Sequence, residues 1–251
     1  MPTFIHGKGT RVFLDDYEAT YWLREAQWQN PVDVAETSTF GQAGGSKTYV
    51  VGYKGFTATM GGMYEDTASS GFDAIVSPLL GQETPTQFAI APRGTAVGNR
   101  AWAAQGFVTS YDVQGSVGDM VSAGVQLQGS GTVRSGVSLQ PNTTAVTATG
   151  NGTTVDQSAS TTYGAQAFLF LTTNSRDTGN IVVKVQHSAD NFTTSADLLT
   201  FTSVNGGVVD SQFQATASGA TVNRYVRASY TITGGTSGSY FFTLIFVRNA
   251  S

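Results

Sequence analysis

Alternation with a period of two residues recurs along this sequence, and a chain patterned that way folds into strands rather than helices. From Ile181 to His187, residues Ile181, Val183 and Val185 share one face while Lys184 and Gln186 share the other. Val222, Val226, Ala228, Tyr230 and Ile232 fall on one parity, with Asn223, Arg227, Ser229 and Thr231 opposite. Val121, Ala123, Val125 and Leu127 alternate with Ser122, Gly124, Gln126 and Gln128, and Phe107, Thr109 and Tyr111 lead into them, which predicts a hairpin near Gln114 to Gly118. Tyr240 to Val247 (YFFTLIFV) is apolar on both parities, the pattern of a central strand covered on both faces. Helical spacing occurs once, at Phe72, Ile75, Val76, Leu79 and Leu80, with Ser69 or Ser70 as N-cap and Pro78 shortening the helix. The 30 glycines serve the tight turns that many short strands need. The expected class is mainly all-β with one short helix.

At 251 residues the chain sits near the ~250–300 residues where one core gives way to two. Residues 141–160 carry a single charge and few large side chains, too little to bury, so they read as a Thr/Gly-rich linker between a domain at 1–140 and a second at 161–251. Residues 1–140 hold eight Lys/Arg and twelve Asp/Glu, and residues 141–251 hold five of each, so the whole net charge of -4 lies before the linker. An acidic chain lacks the basic surface that grips phosphate backbones, which excludes tight nucleic-acid binding. The absence of cysteine excludes disulfides, thiolate zinc sites and a cysteine nucleophile. No apolar run approaches the ~18 residues of a membrane span and the start lacks the apolar stretch of a signal peptide, so the expectation is a soluble chain made inside the cell.

Little in the sequence can do chemistry. Gly41 to Thr48 (GQAGGSKT) looks like a phosphate-binding loop, but Ser46 stands where such a loop needs glycine, and Tyr49 to Tyr53 alternates as a strand where a helix should begin. Gly129 to Gly136 lacks the strand–turn–helix context of a dinucleotide site in the same way. His6 and His187 are the only histidines, too few for a triad or a zinc cluster, and His187 shares the parity of its strand's apolar residues, as a structural histidine does. The carboxylates of Asp15-Asp16-x-Glu18 and Glu65-Asp66 could serve a glycosidase only across a cleft, and nothing in their spacing places them so. The N-x-S/T sequons at Asn142, Asn151, Asn191 and Asn249 are ones that a Thr/Ser-rich chain contains by chance. No catalytic residue, cofactor or metal is expected, and the chain is not expected to be an enzyme.

Thr37-Ser-Thr39-Phe40-Gly41, followed by Ser46 to Gly62 (SKTYVVGYKGFTATMGG), resembles the first-domain signature of major tail tube proteins of long-tailed bacteriophages, where a loop precedes two strands and a helix. Val185 to Asp190, Asn223 to Arg227 and the closing Phe242 to Arg248 resemble the β-sandwich appended to some tail tube proteins. The resemblance implies a structural virion protein of the tail, synthesised in the host cytoplasm, whose first domain is a tail-tube β-sandwich or barrel and whose second is a decoration sandwich outside the tube. It implies hexameric rings of identical copies stacked into a hollow tube, contacts with tape measure, tail terminator and tail tip proteins, and DNA passing through the channel without tight binding; no membrane is involved. On this reading Thr37, Thr39, Phe40 and Gly41 form the family-motif loop, Tyr21 to Asp33 and Thr109 to Gln128 pair between subunits, and Glu25, Asp33, Asp112 and Asp119 line the lumen. The rival reading is a carbohydrate- or receptor-binding sandwich of a tail tip or capsid decoration, using exposed aromatics such as Tyr225.

Overall fold

The computed structural model describes residues 6–38, 46–68, 70–131 and 133–249. Thr39, Phe40 and Gly41 of the motif loop, and Ser69, lie outside the described residues. The strands in chain order are β1 (Arg11–Leu14), β2 (Tyr17–Glu18), β3 (Leu23–Gln29), β4 (Val32–Glu36), β5 (Tyr49–Lys54), β6 (Thr57–Met63), β7 (Thr86–Ala91), β8 (Arg100–Gln114), β9 (Ser122–Gly129), β10 (Arg134–Gln140), β11 (Gly150–Asn151), β12 (Val155–Asp156), β13 (Ala165–Asn174), β14 (Asn180–Ser188), β15 (Ala196–Thr200), β16 (Val204–Asn205), β17 (Asp210–Ala215), β18 (Tyr225–Thr233) and β19 (Tyr240–Arg248). A single α-helix, α1 (Phe72–Val76), is described among them. The fold is all-β in the main, as the alternation requires, and no described helix is long and apolar enough to cross a membrane.

The chain forms two compact units that interleave in sequence. The first takes the described residues through Tyr21, Gln87–Ala103 and those from Arg134 onward; the second takes Trp22–Thr86 and Ala104–Val133. In the first unit one sheet runs β17-β13-β19-β10-β8-β7-β1-β2, and another runs β11-β18-β14-β15 with β12 also on β18 and β16 on β14. Parity decides what each strand covers. Leu169 and Leu171 of β13 with Phe242, Leu244 and Phe246 of β19 pack against Val183 and Val185 of β14 and Val226 and Ala228 of β18. The other parity of the same strands, Phe168, Phe170, Ile245 and Val247, packs with Phe13 of β1 and with alanines of β7 and β8, the rings of Phe13 and Phe170 lying 5.4 Å apart. The run YFFTLIFV is therefore buried on both faces, as its lack of alternation requires.

The expected boundary at 141–160 is corrected by this arrangement. Those residues do not hang free: Gly150–Asn151 and Val155–Asp156 pair with β18, and the amides of Gly152 and Gln157 donate to the carbonyls of Ala228 and Arg224, each at 2.9 Å. Val146 is buried and bridges to Tyr240. Main-chain pairing needs no apolar side chains, so a composition too polar to build a core still makes a strand edge. Nor do residues 1–140 make one body, since β10 pairs with both β8 and β19, Val137 lying opposite Phe246.

In the second unit the order is β3-β6-β9-β8, all antiparallel. The helix is shorter than its spacing predicts. Pro78 cannot donate to a carbonyl one turn back, and the chain tightens into a 3-10 turn at Ser77–Leu79. Ser70 does not cap it; Gly71 does, because a Cβ at that position would lie 2.6 Å from the Thr67 amide nitrogen. Phe72 anchors the helix, stacked on Trp22 at 6.2 Å and edge-on to Tyr111 at 6.3 Å. Among the described residues strands β4 and β5 pair only with each other, forming a separate two-stranded sheet.

Candidate functional site

Among the described residues nothing covers the hairpin of β4 and β5. Every residue in both strands is exposed, including Val34, Tyr49, Val50, Val51 at 65% and Tyr53 at 88%. YVVGY is apolar on both parities, like YFFTLIFV, yet here neither face is buried within the chain. Two strands with nothing packed on them are marginal in water, and contiguous exposed apolar side chains mark an interaction surface. The hairpin is held by its ladder, by Lys47 on Glu36 at 2.9 Å, and at its loop end by the Thr37 amide on the Thr48 carbonyl at 2.8 Å. Thr37 is the one motif-loop residue the structure places.

A second feature is the cleft over the β3-β6-β9-β8 sheet, about 670 Å³ in volume. An extra residue at Arg24 shifts the β3–β6 register, so that Leu23 faces Gly62 and Glu25 faces Gly61. Strands approach closely there: a Cβ on residue 62 would sit 2.1 Å from the Trp22 carbonyl oxygen, so only glycine fits. The cleft gathers Glu25, Asp112 and Asp119 with Arg24, Met63 and Met120. Ser116 Oγ donates to Asp119 at 3.1 Å and Ser110 Oγ to Asp112 at 3.4 Å, and among the described residues none of the three acids has a cationic partner. Three carboxylates against one guanidinium leave the wall acidic. Three of the four acids singled out in the sequence are thus brought together; Asp33 is apart, exposed on β4 against Gly52. Beside the cleft, the β8–β9 loop exposes Val117 and Met120.

The edges of this sheet qualify the expected pairing segments. Among the described residues strand β3 has β6 as its one bonded neighbour and offers an edge, as a pairing strand at Tyr21 to Asp33 needs. Strand β9 lies between β6 and β8, so within Thr109 to Gln128 only β8 has an edge to offer. Sequence reasoning located these strands and read Tyr49 to Tyr53 as alternating, but missed that both faces are exposed; the signal was Val50, an apolar residue on the parity opposite Tyr49, Val51 and Tyr53.

The remaining candidates are structural. His187 Nδ1 accepts the Asn223 amide at 3.1 Å, and partial burial pushes its pKa down, keeping the ring neutral. Tyr225 is not an open platform for a sugar: the Arg224 guanidinium stacks over its ring at 4.9 Å and grips Asp156 with bonds of 2.7 and 2.6 Å, holding that carboxyl down at about 2. Glu65 accepts from Trp22 Nε1 at 3.3 Å and from Thr67, whose hydroxyl and amide hold it below the usual carboxylate range. Glu18 receives Arg11 at 2.5 Å and Asn142 at 2.7 Å, and none of Asp15, Asp16, Glu18, Glu65 and Asp66 lines the cleft over the β3-β6-β9-β8 sheet. No cluster of three or more metal-binding side chains occurs among the described residues.

No protein-family model matches the sequence, and no curated protein matches it. Among solved structures, a chain of the virion of a native gene transfer agent particle is similar at 13% identity and a TM-score of 0.40, over 51% of this chain and 95% of that one. A chain of an extracellular contractile injection system, in its sheath–tube complex in the extended state, gives 17%, 0.41, and 53% and 92%. The SPP1 Dit protein, described as a hub adsorption apparatus in phages infecting Gram-positive hosts, gives 11%, 0.35, and 96% and 100%. All three TM-scores lie below 0.5, and none of these likenesses fixes a role.

Proposed function

We propose that this chain is a structural virion protein of a phage tail, in which copies pair edge to edge into hexameric rings and the rings stack into a tube that conducts DNA. The observation that carries this reading is the uncovered β4–β5 hairpin, an apolar sheet that a single copy leaves in water and that another copy would bury. The free edge of β3 supports it, because an unpaired strand edge is a template for pairing with the next chain. The resemblance of residues 37–62 to the tail tube signature supplies the hexamer and the tube. In that assembly Glu25, Asp112 and Asp119, with Asp33, face the channel and repel the duplex, and the tube ends meet tape measure, terminator and tip proteins.

Negative-stain microscopy of the purified full chain tests this. Rings or tubes from the wild type, with only single copies from Val51→Asp, support the proposal; a wild type that stays monomeric at high concentration overturns it.

A further inference from the structure

The first unit gathers three acidic side chains with no cation among them. Asp15 and Asp16 form the two-residue turn joining β1 to β2, where Leu14 pairs with Tyr17, and Asp210 opens β17. Asp15 has a φ of 55°, in the left-handed region that Asp and Asn tolerate better than most residues. Its amide donates to the Gln87 carbonyl of β7 at 2.8 Å. Its carboxyl Oδ1 lies 2.6 Å from Ser211 Oγ of β17, and the same Oγ lies 3.0 Å from Gln87 Oε1. Both neighbours of that hydroxyl are acceptors, and a hydroxyl has one proton to give, so the cluster is one donor short. Beside it, Asp16 Oδ1 is buried without a hydrogen-bond partner, which costs a carboxylate far more than a carboxylic acid.

The titratable groups facing the cluster are Asp15, Asp16 and Tyr17 from the turn and Asp210 from β17. Strand β7 contributes neutral Gln87, and Phe170 and Leu171 of β13, paired with Ser211 and Asp210, are apolar. We propose that the cluster is a proton-binding latch. With Asp15 protonated, its O–H donates to Ser211 Oγ and Ser211 donates onward to Gln87 Oε1, completing a chain from the β1–β2 turn to β7 and the edge strand β17. With Asp16 also protonated, its buried oxygen carries no charge. Loss of these protons leaves three like charges together and slackens the turn.

Burial pushes both turn carboxyls up, Asp16 to about 6, with the charges of Asp15 and Asp210 adding to the effect. The folded chain therefore binds more protons than the unfolded one between the ordinary carboxylate range and about pH 6. The latch's contribution to stability is full below that window and is lost as pH rises through it. Asp16 is not fully enclosed, so solvent screening holds its share to roughly tenfold in the local opening equilibrium.

The test is a carbon-13 titration of the aspartate carboxyls in the full chain, read with the exchange protection of the Asp15 amide from the ordinary carboxylate range to pH 7. The wild type should show Asp16 titrating near 6, Asp15 above the ordinary carboxylate range, and protection falling roughly tenfold across the window. Asp15→Asn combined with Asp16→Asn keeps the left-handed backbone, supplies a permanent donor to Ser211 and removes the second titrating carboxyl, so its protection should stay high and nearly flat. Both carboxyls titrating near 4 would overturn the latch, and is the expected result if Gln87 turns its amide nitrogen toward Ser211. A variant as pH-sensitive as the wild type would overturn it too.

Discussion

In the first unit, β13 and β19 are covered on both faces, and Phe13, Phe170, Phe242 and Phe246 are all buried. In the second, β4 and β5 are exposed along their whole length and β3 has a single bonded neighbour. Both units contain strands apolar on two parities, and at about 1.5–3 kcal/mol for each large apolar side chain withdrawn from water, the first gains that energy within one chain. The second leaves it ungained until something docks. The same local pattern thus means a core strand where the chain returns to cover it and an interface where it does not.

Three experiments bear on this contrast, beginning with the most disruptive. Ending the chain after Gln140 removes β19, the partner of β10, and β13 beyond it. The first unit should then fail to fold, giving insoluble protein or a chain without near-ultraviolet dichroism. A soluble, cooperatively melting product would restore the boundary at 140. Next, Phe242→Ala should cost about 3–5 kcal/mol in urea unfolding, because its site is fully enclosed. Val51→Ser should stay within about 0.5 kcal/mol of the wild type while abolishing assembly. Equal losses of stability from the two would erase the distinction between core and interface.

The third bears on the acidic cleft. In a ring, Asp112→Lys or Asp119→Lys repeats a positive charge in every subunit, and each new phosphate contact adds a slope of roughly 0.9 to the dependence of log binding on log salt. Assembled variants should retain duplex DNA at low salt and release it as salt rises. Retention that does not change from the wild type would remove these residues from the channel wall.

Much of this fold is legible in residue order, and the reason is parity. The alternation at Ile181 to His187 became β14, and the doubled apolar run became β19. Val222, counted with the β18 strand, instead bridges Thr161, the residue just past the segment first read as a linker. That error and the interleaved units share a cause: main-chain pairing over long sequence separations leaves no trace in side-chain chemistry. Glu25, Asp112 and Asp119 were singled out from charge and the tail-tube resemblance, and only the register of β3, β6, β9 and β8 shows that they share a cleft. The latch was missed for the opposite reason. Asp15 and Asp16 were weighed as catalytic acids, and Ser211, the partner of Asp15, stands 196 residues away in the chain.

The smallest expected effect lies in the first unit, at His187. Its Nδ1 must be unprotonated to accept the Asn223 amide, and burial lowers the pKa of the ring below the ordinary imidazole value. The unfolded chain therefore takes up the proton first on acidification, and this contribution to stability, complete above the ordinary value, is lost as pH falls through and below it. His187→Gln keeps an acceptor oxygen and does not titrate. Between pH 7.5 and 5.5 the urea midpoint of the wild type should fall relative to that of the variant, by a small margin because much of the ring meets solvent. The aspartate latch acts in the opposite direction at the acid end of that range, so the comparison belongs in an Asp16→Asn background, where the histidine acts with less opposition. If His187→Gln tracks its parent across that range in this background, the Asn223 bond does not depend on a neutral ring.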